Sequence, residues 1–167
     1  MKYNIKKISN KSEIDNIYSS FIKFSSQKNI FCSKEILKFF FNDLDLYTVN
    51  KNDRIKSFIY LFKNENNFII SEPFIYSGII NHPKLNMKNA RYNNEVFKLN
   101  ELIVKEILSN YKKIDINLPI NYLDTRPFLW FNYGEENKKK FQVTPCYSSI
   151  INIKSRTHTE IFNEIDD

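Results

Sequence analysis

The chain has 167 residues, of which 42% are hydrophobic and 26% charged, with a formal net charge of +6. This is one domain's worth of sequence, too apolar for disorder, and no apolar run approaches the roughly 20 residues of a membrane-spanning helix. The start, Met1-Lys2-Tyr3-Asn4-Ile5-Lys6-Lys7, has neither an apolar signal core nor a small-residue cleavage site, so a cytoplasmic protein is the expectation.

Tyr3 to Ile8 alternates weakly and reads as a first strand. Ser12 then offers an N-cap with Asp15 three residues on, and Ile14, Ile17, Tyr18, Phe21 and Phe24 follow at helical spacing, which predicts an amphipathic helix of about three turns. Ser33 is a second N-cap candidate, ahead of Glu35 and the apolar Ile36, Leu37, Phe40 and Phe41. Glu35 reads as a first-turn charge complementing the helix dipole rather than as a general base.

Three strand candidates follow as a meander: Leu46 to Val49, Ile55 to Phe62, and Phe68 to Ser71. The run Phe58-Ile59-Tyr60-Leu61-Phe62 is apolar at every position, which predicts a central strand covered on both faces. Pro73 interrupts the third strand, so Phe74 to Ile80 is expected as a bent continuation or an edge. Residues from Asn81 to Tyr92 are polar and irregular. From Asn94 to Asn110 the Val96, Leu99, Ile103, Ile107 stripe predicts the principal helix.

Ile114, Ile116 and Leu118 alternate with Asp115 and Asn117, a short strand. Asp124-Thr125-Arg126-Pro127 opens a brief helical segment through Trp130, with Phe128 and Trp130 expected as packing residues. Val143 to Ile153 reads as a final strand kinked at Pro145. The order is β-α-α-β-β-β-α-β-α-β: an α/β chain (an α+β mixed sheet) in a single domain over residues 1–154. Thr157-His158-Thr159-Glu160 is a capping box with His158 on the surface, and residues 155–167 are expected to begin a helix that either docks on the domain or, the preferred reading, opens a longer element.

Rare residues exclude several chemistries. Only two glycines are present, Gly78 and Gly134, which removes the dinucleotide fingerprint and the Walker loop. Two cysteines, Cys32 and Cys146, and two histidines, His82 and His158, lie too far apart for zinc-finger or HExxH spacing, so no metal site is expected. The cysteines read as reduced, buried thiols. Lys6-Lys7, Lys112-Lys113 and Lys138-Lys139-Lys140 are scattered, and the last run adjoins Glu135-Glu136 as a solvated loop; nucleic-acid binding ranks behind other readings.

Several strings resemble the first domain of FemAB-type proteins, which carry two GNAT-like acyltransferase domains in tandem. Asn29-Ile30-Phe31-Cys32-Ser33-Lys34-Glu35-Ile36-Leu37 is similar to the family's segment opening the second helix, with Ile36 where a Trp is usual. Pro73-Phe74-Ile75-Tyr76-Ser77-Gly78 looks like its loop beside the substrate groove. Asp124-Thr125-Arg126-Pro127-Phe128-Leu129-Trp130 followed by Tyr147-Ser148 looks like its D-x-R-P-F-x-W run and the aromatic-hydroxyl pair after it. The element order is similar to the GNAT fold.

The resemblance implies an acceptor-recognising half of an acyl- or aminoacyltransferase acting on an amine of a cell-wall or surface-polysaccharide precursor. It implies acyl-CoA or aminoacyl-tRNA as donor in a complete enzyme, and none bound by this chain. The stretch from His82 to Asn94 lacks the glycines that let backbone N–H groups wrap a coenzyme A pyrophosphate. A second GNAT-like half is the implied partner, and the isolated chain is expected to turn over little or no substrate.

Tyr76 and Gly78 are the residues this resemblance sets beside the groove. Asp124 and Arg126 are candidates for binding a substrate amine and a carboxylate or phosphate, the alternative being that Asp124 caps the short helix and Arg126 pairs with it. Tyr147 is a candidate for placing its hydroxyl in the groove, the alternative being an ordinary strand aromatic. Spacing identifies no catalytic residue. The other function classes are a non-catalytic module binding a glycan, peptide or protein, and a basic nucleic-acid binder.

Overall fold

The computed structural model describes residues 3–84, 87–122, 124–146 and 157. Its frame is a four-stranded antiparallel sheet in the order β1-β2-β3-β4, with β1 at Asn4–Lys7, β2 at Leu44–Lys51, β3 at Arg54–Phe62 and β4 at Gly78–Asn81. Helices α1 (Glu13–Ser20) and α2 (Lys34–Phe39) precede the meander, α3 (Asn89–Glu106) follows it, and α4 (Arg126–Leu129) is a single turn further on. The architecture is therefore mixed helix and sheet. No helix among the described residues is long and apolar enough to cross a membrane.

Both faces of the sheet are covered, as the unbroken apolar run in β3 requires. Phe58 and Tyr60 join Ile14, Ile17, Phe21 and Leu37 in the core on the α1–α2 side. Ile59 and Leu61 join Leu99, Ile103, Val104 and Leu108 in the core on the α3 side. Each fully buried large apolar side chain is worth about 1.5–3 kcal/mol. The β2–β3 hairpin turns on two residues, Asn52 (φ 50°) and Asp53 (φ 59°), both in the left-handed region that short polar side chains tolerate.

The helices depart from expectation at their ends. Ser12 does not cap α1: its own backbone is already helical, and its hydroxyl donates to Asn10 Oδ1 at 2.9 Å. Asn10 takes the capping part, accepting from the Ser12 N–H at 3.0 Å. After two turns α1 tightens into a 3₁₀ turn at Ile22–Phe24, which leaves Phe24 exposed. Ser33 does cap α2, accepting from the Ile36 N–H at 3.5 Å. Helix α3 starts at Asn89 rather than Asn94, one turn and more into a stretch whose Asn, Arg and Tyr residues carry no helical stripe. Its start is held from outside, by the Tyr92 hydroxyl donating to the His82 carbonyl at 2.9 Å.

Two expected strands are reduced to single bridges. Ile69 pairs with Lys63 antiparallel and with Ile114 parallel, and this last is the sole parallel pairing among the described residues. Pro73 has no N–H to offer a ladder, and the chain around it instead drops Phe74 into the core against Phe31, Phe40 and Phe62 at ring distances of 5.6, 5.5 and 5.4 Å. Only after this plug, from Gly78, does pairing with β3 begin. Residues 143–146 form no regular strand, and the rest of that expected strand, like the terminal capping box apart from Thr157, lies outside the described residues.

Gly78 has φ +101°, and a Cβ there would stand 3.2 Å from Ile116 Cδ1; Gly134 has φ +82° with nothing within 4 Å. Both substitutions to Ala pay the left-handed backbone cost, and only Gly78→Ala adds a clash. Gly78→Ala is expected to lower stability by about 2–3 kcal/mol and Gly134→Ala by about 1–2 kcal/mol, read from urea midpoints at constant m. Equal losses would show that the contact with Ile116 carries no weight.

Candidate functional site

The loop after β3 and the extended segment from Ile114 to Pro119 are clasped together through Ser77. Its N–H donates to the Asn117 carbonyl at 2.7 Å, and its fully buried hydroxyl accepts from the Asn117 N–H at 3.4 Å. Behind the loop, buried Tyr60 donates its hydroxyl to the Tyr76 carbonyl at 3.1 Å while accepting from Asn29 Nδ2 at 3.2 Å. Burial pushes the Tyr60 phenol well up, so it stays a neutral donor. Tyr76 is thus fixed through its main chain, and its side chain stands free at the edge of a groove.

That groove has a volume of about 700 Å³ and runs between Ile75–Tyr76, the 114–122 segment, the inner side of α4 and residues 141–146. Its size is that of a small-molecule site. Apolar walls from Ile116, Leu118, Phe128 and Val143 alternate with polar groups of Asn117, Thr125 and Gln142. Among the described residues that line it, the one charged side chain is Asp115. Its carboxylate accepts from the Ser71 hydroxyl at 3.0 Å and is otherwise exposed to solvent, with no cation paired to it among the described residues.

The sequence candidates divide around this groove. Tyr76 lines it, and Gly78 sits behind its wall, where an added Cβ would stand 3.2 Å from Ile116 and 3.4 Å from Leu118. Asp124 and Arg126 do not line it. Arg126 Nε and Nη2 donate to the two Asp124 oxygens at 2.8 and 2.6 Å, and the Arg126 N–H donates to Asp124 Oδ1 at 3.2 Å. The pair therefore spends its fork on itself, and the Arg126 guanidinium beside Asp124 holds that carboxyl below its usual range. Tyr147 lies outside the described residues.

Two expectations about packing are overturned. Trp130 is 56% exposed: α4 is one turn long, so only Pro127 and Phe128 reach the core, and the indole lies across Phe97 (5.7 Å) and the Arg126 guanidinium (5.5 Å) on the surface. Cys32 is buried as expected, but Cys146 is exposed at the groove's margin, because the chain there is not held in a sheet. Asp115 was legible only as an outward position of an alternating segment, and its place in the groove depends on the Ser77–Asn117 clasp.

Elsewhere, buried charge is consumed locally. Asp45 accepts from Lys7 and the Tyr111 hydroxyl, both at 2.8 Å, and forms an ion pair with Lys63 at 3.4 Å. At the start of α3, Glu95 lies 3.3 Å from both Lys51 and Lys56. Burial opposes its ionisation, but the two lysines outweigh it and hold its pKa below the usual carboxylate range. His82 Nδ1 is 2.9 Å from the Pro83 carbonyl, which can only accept, so the proton sits on Nδ1. Among the described residues its buried Nε2 has no hydrogen-bond partner, and it faces Glu95 Oε2 at 3.9 Å.

No protein-family model matches this chain, and comparison with curated proteins returns no significant relative.

Burial, assisted by Lys56 and Lys51, pushes the His82 imidazole below its ordinary value of 6.5, against the opposing pull of Pro83 and Glu95. The unfolded chain therefore binds a proton near that pH that the folded chain refuses, so stability is full well above about pH 6.5 and falls as pH drops through that value toward the folded pKa. The melting temperature is expected to decline between about pH 7.5 and 5.5, with the decline flattened in His82→Gln. An identical slope in the variant would remove His82 as its source.

Proposed function

We propose that this chain is a recognition domain for amine-bearing ligands, and specifically the acceptor-recognising half of a FemAB-like, GNAT-type acyl- or aminoacyltransferase. The observation that carries the reading is the groove's charge: a solvent-facing Asp115 carboxylate and, among the described lining residues, no cation. Such a site attracts an ammonium or amine and repels phosphate. The antiparallel meander followed by a long helix is in keeping with a GNAT-like order, and Tyr76 at the groove's edge is in keeping with the family's substrate loop.

The approach to α3 supports assigning the donor elsewhere. Pro83 has no N–H, the His82 N–H donates to the Lys56 carbonyl at 2.9 Å, and the Met87 N–H donates to the Lys84 carbonyl at 3.2 Å. With no glycine between His82 and Asn94, a diphosphate approaching the uncapped first turn of α3 meets a Cβ at every position. A complete enzyme of this kind works by positioning a neutral amine against an activated acyl carbon, which here requires the donor to be held by another polypeptide segment.

A non-catalytic module for the same class of ligand is the second reading. It is favoured by one observation: no two titratable side chains among the described lining residues hydrogen-bond to each other, so no acid–base pair is assembled. Adding acyl donor and assaying transfer to the bound amine separates the two readings. Nucleic-acid binding is disfavoured by the groove's charge and by the commitment of Lys51 and Lys56 to Glu95.

Calorimetric titration with glucosamine and with a lysine-containing peptide is expected to show binding, weakened about two- to fivefold by Asp115→Asn and by N-acetylation of the ligand. Coenzyme A is expected to show none. Tight coenzyme A binding, or indifference to N-acetylation, would overturn the proposal.

A further inference from the structure

A second cavity, of about 870 Å³, lies between α1 and the neighbouring ends of β1, β2 and β3, beside His82 and Pro83. It shares no lining residue with the groove beside Tyr76. Sheet register decides which side chains face it. Phe58 faces the α1–α2 core, so Thr48 opposite it, and Lys6 opposite Thr48, share that face. Asn50, two residues after Thr48, is on the same face, opposite Ile55. Arg54 pairs with Lys51, which turns to Glu95 in α3, and so belongs to the other face.

Ile8, Ile17, Phe21 and Ile55 give the chamber apolar walls, and Phe24, which α1's early tightening leaves 60% exposed, adds to them. Two of its ammonium groups are already spent, Lys6 on Glu13 and Lys56 on Glu95 at 3.3 Å. The sheet floor carries a different kind of group. Thr48 is 3% exposed, and its Oγ1 accepts from Asn50 Nδ2 at 3.0 Å. Among the described residues the Thr48 hydroxyl donates to nothing and Asn50 Oδ1 accepts from nothing. Turning the Asn50 amide over exchanges the two roles and still leaves one donor and one acceptor side by side. A hydroxyl proton this deeply placed costs free energy while unpaired. An apolar chamber of this size with a few placed polar groups has the build of a small-molecule site.

We propose that this chamber binds an uncharged, largely apolar molecule that ends in a carboxamide or lactam group. The ligand's carbonyl accepts from the Thr48 hydroxyl, its N–H donates to Asn50 Oδ1, and its apolar body lies among Ile17, Phe21 and Ile55. A carboxylate has no proton to give the asparagine, and an ammonium has no acceptor to give the threonine. Either would also carry a charge onto apolar walls. This site is independent of the groove and of the function proposed for it.

The test is isothermal titration of the full chain with 4-phenylbutanamide, 4-phenylbutyrate and 4-phenylbutylamine, which differ only in the head group. The amide is expected to bind, and the two charged forms to bind at least about fivefold more weakly. Thr48→Val keeps a β-branched strand residue of the same shape without the hydroxyl, and is expected to weaken the amide about three- to tenfold. Thr48→Ser retains the hydroxyl and is expected to stay within about twofold of the parent chain. Phe24→Ala, at an exposed wall position where the fold loses little, is expected to weaken the amide about two- to fivefold with an unchanged circular dichroism spectrum. Excess glucosamine is expected to leave the amide's affinity unchanged, since the two cavities have no lining residue in common. No binding of the amide, equal or tighter binding of 4-phenylbutyrate, full affinity in Thr48→Val or Phe24→Ala, or competition by glucosamine would each overturn the proposal.

Discussion

The double-sided burial of β3 is the constraint on which the rest of the molecule depends. Phe58 and Tyr60 face one layer, and Ile59 and Leu61 face the other. A strand without a polar face cannot rest against water, so helices must cover the sheet on both sides. The α1–α2 layer and α3 are therefore consequences of the same nine-residue strand.

Tyr60 links that core to the surface. Its ring belongs to the apolar layer, while its hydroxyl, kept neutral by burial, fixes the Tyr76 carbonyl. Phe74, plugged between Phe40 and Phe62, fixes the same loop from its other end. Ser77 and Gly78 then bring the 114–119 segment against it. The groove is thereby bounded by main chain held at several points, with Tyr76 and Asp115 left as side chains able to meet a ligand. Rigid support under a few free polar groups is the arrangement that lets a small number of contacts discriminate among ligands.

The two cavities differ in the chemistry they offer. The groove beside Tyr76 presents one carboxylate among mixed polar and apolar walls. The chamber under α1 is lined largely by apolar surface, from Ile8, Ile17, Phe21 and Ile55 among others. The chain's excess of lysine reaches neither as a broad basic face, since Lys7, Lys51, Lys56 and Lys63 are drawn into pairs with Asp45 and Glu95. Net charge is thus a poor guide to ligand sign here, because local pairing decides which charges remain available.

Alternation and helical spacing were enough to determine β1, β2, β3, the two N-terminal helices, the body of α3 and the core residues among them. These are local patterns, and burial on a known face is the physical event they encode. Where a local signal competed with a neighbour, tertiary contacts decided. Asn10 displaced Ser12 as the cap of α1, the Tyr92–His82 bond carried α3 a turn further back, and Phe74 left the sheet to fill a hole among aromatics. The site was less legible still. Asp124 and Arg126 stood out as a motif, yet they satisfy each other, while Asp115 gained its position through contacts with Ser71 and of Asn117 with Ser77, some forty residues away. Sequence records which side chains are able to carry charge; only the folded chain determines which of those charges are left unpaired beside a cavity.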